Sequence, residues 1–343
     1  MVDEQRRRLH NHPSARAVTH GHGVSVFHRT LRLTSSIVVR PLLEHAHPSG
    51  WQLRGLRTLF RTVTAAASLR HETAQITQIH DLSNEYGPIS GEWINAAGVT
   101  RLDTVILYLH GGGYISTSAA HYRGITTRLS AITGLPVFAA NYRLAPENRY
   151  PAALHDAVAA YRWLCNSGAQ VVVAGDSAGA HLSTGLTVEA ITADLPLPRA
   201  LVLLSPLLDI SCREAVSVDR STPDPLMAPA FAMACAQALG VNNRTRDPRV
   251  APLEMDDGVC RGFPPTLSVV AGAECFRGDA ARLHERLLRN GVSARTYEMP
   301  GHIHDFMLFA HTGAARTVLR WTADFLAAHT HTRTWSSTEG RDR

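Results

Sequence analysis

From about residue 75 the chain alternates short apolar runs with helical stretches, and this rhythm restricts its fold more than any other feature. TVILYLH (104–110), LPVFAANY (135–142), QVVVAG (170–175), ALVLLS (200–205) and TLSVVAG (266–272) are brief, rich in branched side chains and free of charge. A strand wetted on one face alternates apolar and polar residues, whereas a continuous run suits a strand covered on both faces. Helical stretches near 153–165 and 178–192 separate the runs. Such alternation predicts an α/β fold with a mostly parallel, doubly wound sheet flanked by helices. The chain has 343 residues, of which 45% are hydrophobic, enough to bury a sizeable core and to exclude global disorder.

Residues 211–262 break the rhythm. They hold Pro223, Pro225, Pro229, Pro248 and Pro252 and a helical run near 230–239, and they read as an insertion that caps the sheet. Residues 1–48 are rich in Arg and His, with histidines at 10, 12, 20, 22, 28, 45 and 47. No clean ligand spacing occurs there, so this stretch is expected to be a solvated, partly disordered extension rather than a metal site. Residues 49–74 form the next region. Within it Leu53, Leu56, Leu59, Phe60 and Val63 recur at helical spacing between Arg54, Arg57 and Arg61. That pattern predicts an amphipathic helix over 51–70 packed on its own protein, with a membrane surface as the alternative. The main domain then spans 75–330, and 331–343 form a C-terminal tail.

Charge and cysteine content narrow the chemistry. All of the 34 basic residues are arginine, against 29 acidic ones, for a net charge of +5. Without lysine, Schiff-base and lysine-base catalysis are excluded. Aromatics are not interleaved with basic runs, so no nucleic-acid partner is expected. Cys165, Cys212, Cys235, Cys260 and Cys275 are odd in number and form no CxxC pair, which fits a reduced, cytoplasmic compartment. No secretory signal is visible, and no stretch approaches the roughly 20 apolar residues of a membrane span, so no stable membrane insertion is expected.

Three motifs carry reactive groups. GDSAG (175–179) stands between the run QVVVAG and a helical stretch. G-x-S-x-G at such a junction is a nucleophile elbow, where small flanking residues permit a tight turn that exposes Ser177. HGGGY (110–114) ends the run TVILYLH. Its glycines leave backbone N–H groups open to a substrate carbonyl, so Gly111 and Gly112, with Ala178, are the expected oxyanion hole. A phosphate loop is excluded, because no Gly-Lys-Ser/Thr follows. GHIHDF (301–306) offers His302 and His304 as a base for the serine. The acid must come from a loop after a late strand; Glu274 follows TLSVVAG, with Asp209 and Asp279 as alternatives. Asp279 also reads as an N-cap for a helix over 280–290.

Together HGGGY (110–114), YRLAPE (142–147), YPAALHDAVAAYRWL (150–164), GDSAG (175–179), SPLLD (205–209) and GHIHDF (301–306) resemble, in order and spacing, the hormone-sensitive-lipase-like family of α/β-hydrolases. The resemblance covers roughly residues 75–327. It implies an α/β-hydrolase fold with a helical cap and a serine carboxylesterase or lipase acting on short- to medium-chain esters through an acyl-enzyme. The family pattern G-x-x-H-x-F selects His304 over His302. It places the acid at Glu274, where the family usually has Asp. Asn141 stands where Asp often precedes YRLAPE, a change read as structural. Arg143 and Glu147 are expected to pair across a turn and brace the loops. No metal or organic cofactor is implied, the partner is a small-molecule ester, and a homodimer stays open. Competing readings are an amidase or deacetylase on the same triad, a non-catalytic small-molecule receptor, and a membrane-surface lipase using the Arg-rich helix.

Overall fold

The computed structural model describes residues 24–68, 73–83, 85–242 and 244–330. The histidines at 10, 12, 20 and 22 and the expected tail over 331–343 lie outside the described residues. The described residues open with helix α1 (Val26–Thr34), a π-helical segment (Ser35–Val39) and helix α2 (Arg40–Glu44). The joins keep right-handed helical dihedrals, so the three pieces form one rod. Residues 26–44 are thus ordered helix rather than the loose extension expected there, and they bury His28, Ser35 and Leu43. The long helix α3 (Gly50–Ala67) follows and buries Leu53, Leu56, Thr64 and Ala67, the apolar side of the expected amphipathic pattern.

Strands β1 (Ala74–Leu82) and β2 (Ile89–Ala96) open the sheet as an antiparallel pair. The five apolar runs supply β3 (Thr104–Leu109), β4 (Val137–Asn141), β5 (Gln170–Asp176), β6 (Leu201–Leu204) and β7 (Thr266–Ala271), and β8 (Ala294–Met299) follows. Eight strands form one sheet in the order β1-β2-β4-β3-β5-β6-β7-β8. All pairings from β4 to β8 are parallel. Every residue of β3 and β7 is buried, which is why those strands read as continuous apolar runs.

Alternate strand residues feed two apolar layers. Val105, Leu107, Val171, Val173, Leu201 and Leu203 join one cluster, which includes residues of α5 (Ala152–Asn166) and α6 (Ser177–Thr192). Ile106, Tyr108, Val172, Ala174, Val202 and Val269 join the other, which includes residues of α4 (Arg123–Thr133) and the C-terminal helix α11 (Gly313–Thr330). Register matters for function: Leu109 pairs with Gly175 across β3 and β5. The loops leaving the carboxyl ends of these strands, HGGGY and GDSAG, therefore emerge side by side.

The insertion contributes α7 (Arg213–Ser221), α8 (Pro229–Leu239) and α9 (Asp257–Arg261). It closes over the sheet together with the N-terminal helices. Phe60 of α3 stacks on Phe231 of α8 at 5.8 Å. Arg40 grips Asp219 through paired hydrogen bonds of 2.7 and 2.6 Å and donates to the Asp224 carbonyl. Helix α10 (Arg277–Arg289) begins before the expected 280, so Asp279 lies within its first turn and does not cap it.

Candidate active site

Backbone geometry at the β5–α6 turn comes first. Ser177 adopts φ of +50°, a left-handed conformation that costs a non-glycine residue about 1–3 kcal/mol and persists only where surroundings enforce it. The enforcement is steric. A Cβ at Gly179 would collide with the Leu109 and His110 carbonyl oxygens, and one at Gly175 would lie 2.6 Å from Gly179 backbone. With both positions bare, strand and helix close together and lift the Ser177 hydroxyl above the sheet edge.

That hydroxyl meets His304. Ser177 Oγ lies 2.9 Å from His304 Nε2, and His304 Nδ1 lies 2.7 Å from Glu274 Oε2. All three residues are buried. With Nδ1–H donating to the carboxylate, Nε2 carries the lone pair that accepts the serine proton. Glu274 is fully buried, and its other oxygen accepts the Ala271 N–H at 3.0 Å. The Cys275 N–H donates to Asp224 at 2.9 Å, and the Arg277 guanidinium donates to the Glu274 carbonyl at 3.1 Å, so the acid-bearing turn is fixed from both sides.

The alternatives raised by the sequence go elsewhere. Asp209 accepts from Ser211, and Asp279 accepts the N–H groups of Leu208 and Asp209 at 2.8 and 2.9 Å. Asp279 thereby anchors the loop after β6, and burial pushes its carboxyl up to about 7. His302 turns its Nδ1 to the Pro300 carbonyl and meets the His28 ring edge-on, away from the serine.

The oxyanion loop differs from the sequence expectation in one residue. The Gly111 N–H donates to Asp176 Oδ1 at 3.1 Å, so it is engaged and not free for substrate. Gly112 and Gly113, with φ of +106° and +66°, line the cavity beside Ser177 and Ala178, and Gly111 does not. The physical reason is Asp176, the unspecified residue of GDSAG: fully buried, it draws hydrogen bonds from Gly111 and Tyr108, which shifts the exposed part of the loop one residue on. Burial raises its carboxyl to about 6 despite these donors.

Several residues position the site through partners that the sequence did not indicate. Arg57 of α3 donates to the Ile115 carbonyl at 2.8 Å and forms a two-pronged ion pair with Glu147 at 2.9 and 2.7 Å. It ties the cap to the glycine loop. The expected Arg143–Glu147 pair is therefore absent: Arg143 pairs with Asp156 of α5 at 2.7 Å, because the turn sends the two side chains to different neighbours. The Tyr142 hydroxyl donates to the His110 carbonyl at 2.5 Å. Asn141 accepts the Ala119 N–H at 2.8 Å, a structural role.

Asp305 is the least expected member. Its Oδ2 lies 3.3 Å from His304 Nε2, beside the serine, and it lines the cavity. Burial, with the Asp176 and Glu274 carboxylates nearby, drives its carboxyl well above the usual range, while His304 pulls the other way. Burial by itself would lower the His304 pKa, but the Asp305 charge and the Glu274 hydrogen bond outweigh it and raise the imidazole. The cavity over the serine measures about 210 Å³, and its walls include Leu59, Phe60, Phe231, Leu239 and Ile303. Among the described residues no cluster of His, Cys, Asp and Glu could hold a metal ion.

A serine on a strained strand–helix turn, a histidine and a buried acid over a parallel sheet define a hydrolase of the α/β class. A family model described as the alpha/beta hydrolase fold matches residues 106–308, and the chain belongs to that family. Within it, the chain is similar to an acetyl-hydrolase of Streptomyces hygroscopicus, 35% identical over 64% of this chain and 72% of that protein. It is also similar to the esterase LipU of Mycobacterium tuberculosis, 32% identical over 73% of this chain and 81% of LipU. Among solved structures, an esterase of the bacterial hormone-sensitive lipase family superposes with a TM-score of 0.75 at 29% identity, covering 90% of this chain and all of that one.

Proposed function

We propose that the chain is a serine carboxylesterase acting on small-molecule esters. Ser177 Oγ attacks the ester carbonyl while His304 Nε2 takes its proton. The developing oxyanion is met by the N–H groups of Gly112, Gly113 and Ala178, and Glu274 holds the imidazole tautomer and stabilises the imidazolium. The C–O bond to the alcohol breaks, and His304 returns the proton to the leaving oxygen. Water, deprotonated by the same nitrogen, then attacks the acyl-enzyme and frees Ser177 and the acid.

One observation carries this reading: the unbroken contact chain of 2.9 and 2.7 Å from Ser177 through His304 to Glu274, on the wall of an apolar cavity. Relatives named as ester hydrolases support the substrate class. A cavity of about 210 Å³ is smaller than the roughly 300–1,000 Å³ of typical ligand pockets, which favours short- to medium-chain acyl groups.

The test is hydrolysis of a chain-length series of p-nitrophenyl esters, with the matching p-nitroanilides, by the wild type and Ser177→Ala. Ester turnover that peaks at short to medium chains and vanishes in Ser177→Ala is expected. Turnover of the anilides alone would move the assignment to an amidase, and no turnover of either would remove the catalytic reading.

A further inference from the structure

Among the described residues, eight of the thirteen exposed large hydrophobic side chains fall between Val26 and Val63. Such crowding is not the scatter expected of an ordinary surface. Val26, Leu33, Ile37, Val38 and Leu42, together with Trp51 at the start of α3, are 56–78% exposed. Val26 and Leu33 are seven residues apart and Ile37 four further on, so they share one stripe of the α1–π–α2 rod. The opposite stripe, with Leu31, Ser35 and Val39, lines the cavity above Ser177. One rod therefore faces the site on one side and presents an apolar surface to water on the other.

The charge around this surface has one sign. Residues 24–68 hold six arginines and one acid, Glu44. Arg40 and Arg57 are engaged with Asp219 and Glu147, while Arg29, Arg32, Arg54 and Arg61 are exposed. A second copy pairing through this face would set these arginines against their own kind. An apolar stripe rimmed by arginine matches the acyl region and headgroups of an anionic lipid surface.

We infer that the outer face of the α1–π–α2 rod, with Trp51, docks on anionic phospholipid surfaces and sets the cavity against them. No helix among the described residues is long and apolar enough to cross a membrane, so the rod lies in the interface. This inference goes beyond the esterase reading and does not depend on it, because lipid binding is read without turnover.

The full chain would be floated with vesicles of phosphatidylcholine alone and of phosphatidylcholine mixed with phosphatidylglycerol. Binding is expected only to the anionic vesicles and should weaken with salt. Ile37→Glu/Val38→Glu should bind at least about tenfold more weakly, and Arg29→Glu/Arg54→Glu should lose about fivefold or more per arginine. These residues do not line the cavity, so turnover of p-nitrophenyl acetate should be unchanged, which also reports correct folding. Leu33→Ser/Trp51→Ser is the substitute if the glutamate pair fails to fold. Absence of binding to anionic vesicles, or equal binding by wild type and these variants, would overturn the inference. So would light scattering that shows a wild-type dimer dispersed by Ile37→Glu/Val38→Glu, since a second copy would then occupy the face.

Discussion

Asp305→Asn should move the acid limb of the kcat/KM–pH profile downward. In the wild type the Asp305 carboxylate lies 3.3 Å from the His304 nitrogen that must accept the serine proton. An anion there stabilises imidazolium, so the neutral base appears only at higher pH. Two unit charges at that distance attract by about 1.3 kcal/mol in a water-like medium and about 5 kcal/mol at an effective dielectric of 20. Much of the upper value is lost, because burial also raises the Asp305 carboxyl and so disfavours its charged form. A net 1–2 kcal/mol corresponds to a shift of about one pH unit. Asparagine keeps the shape and removes the charge, so the imidazole pKa falls and activity extends to lower pH. The assay is kcat/KM for a soluble p-nitrophenyl ester from acid to neutral pH, corrected for nitrophenolate ionisation. An unmoved limb, or one that moves upward, would refute the assignment of His304 as base under the field of Asp305.

Ser177→Ala should lower kcat by at least about 10⁴-fold with the fold intact by circular dichroism. Glu274→Gln should cost about 10³–10⁴-fold, as the carboxylate on Nδ1 is lost, with KM little changed in steady-state kinetics. Gly111→Ala places a methyl against the Asp176 carboxylate and Tyr122, so a loss of about 2 kcal/mol or more should appear in denaturant titration. Burial holds His28 and His110 at about 4, below the ordinary 6.5. Groups depressed in the folded state favour unfolding once protonated, so Tm should fall as pH drops from 6.5 toward 4. His28→Phe should flatten that decline, measured by thermal melts across pH.

The five apolar runs, the two helices between them and the three motif loops were legible because each depends on local pattern. A strand covered on both faces must be apolar throughout, and a turn as tight as Gly175–Gly179 admits only small residues. The strands β1 and β2 were not legible: AQITQIHDL exposes most of its length at the sheet edge, so it lacks the apolar run by which a strand is recognised. GHIHDF marked the region of the base, and its family pattern already selected His304 with the acid at Glu274; the 2.9 and 2.7 Å contacts that join these residues to Ser177 are tertiary. Gly111 and Gly113 are alike in sequence; the buried Asp176, met across β3 and β5, decides which of their N–H groups is engaged. Arg57 and Glu147 lie 90 residues apart and meet only when the cap closes. What the chain's own order determined was therefore every feature enforced by near neighbours, namely the alternating sheet and its reactive loops. The tertiary structure decided partner choice among chemically equivalent groups, since hydrogen bonds and ion pairs between distant residues depend on distances that local pattern does not encode.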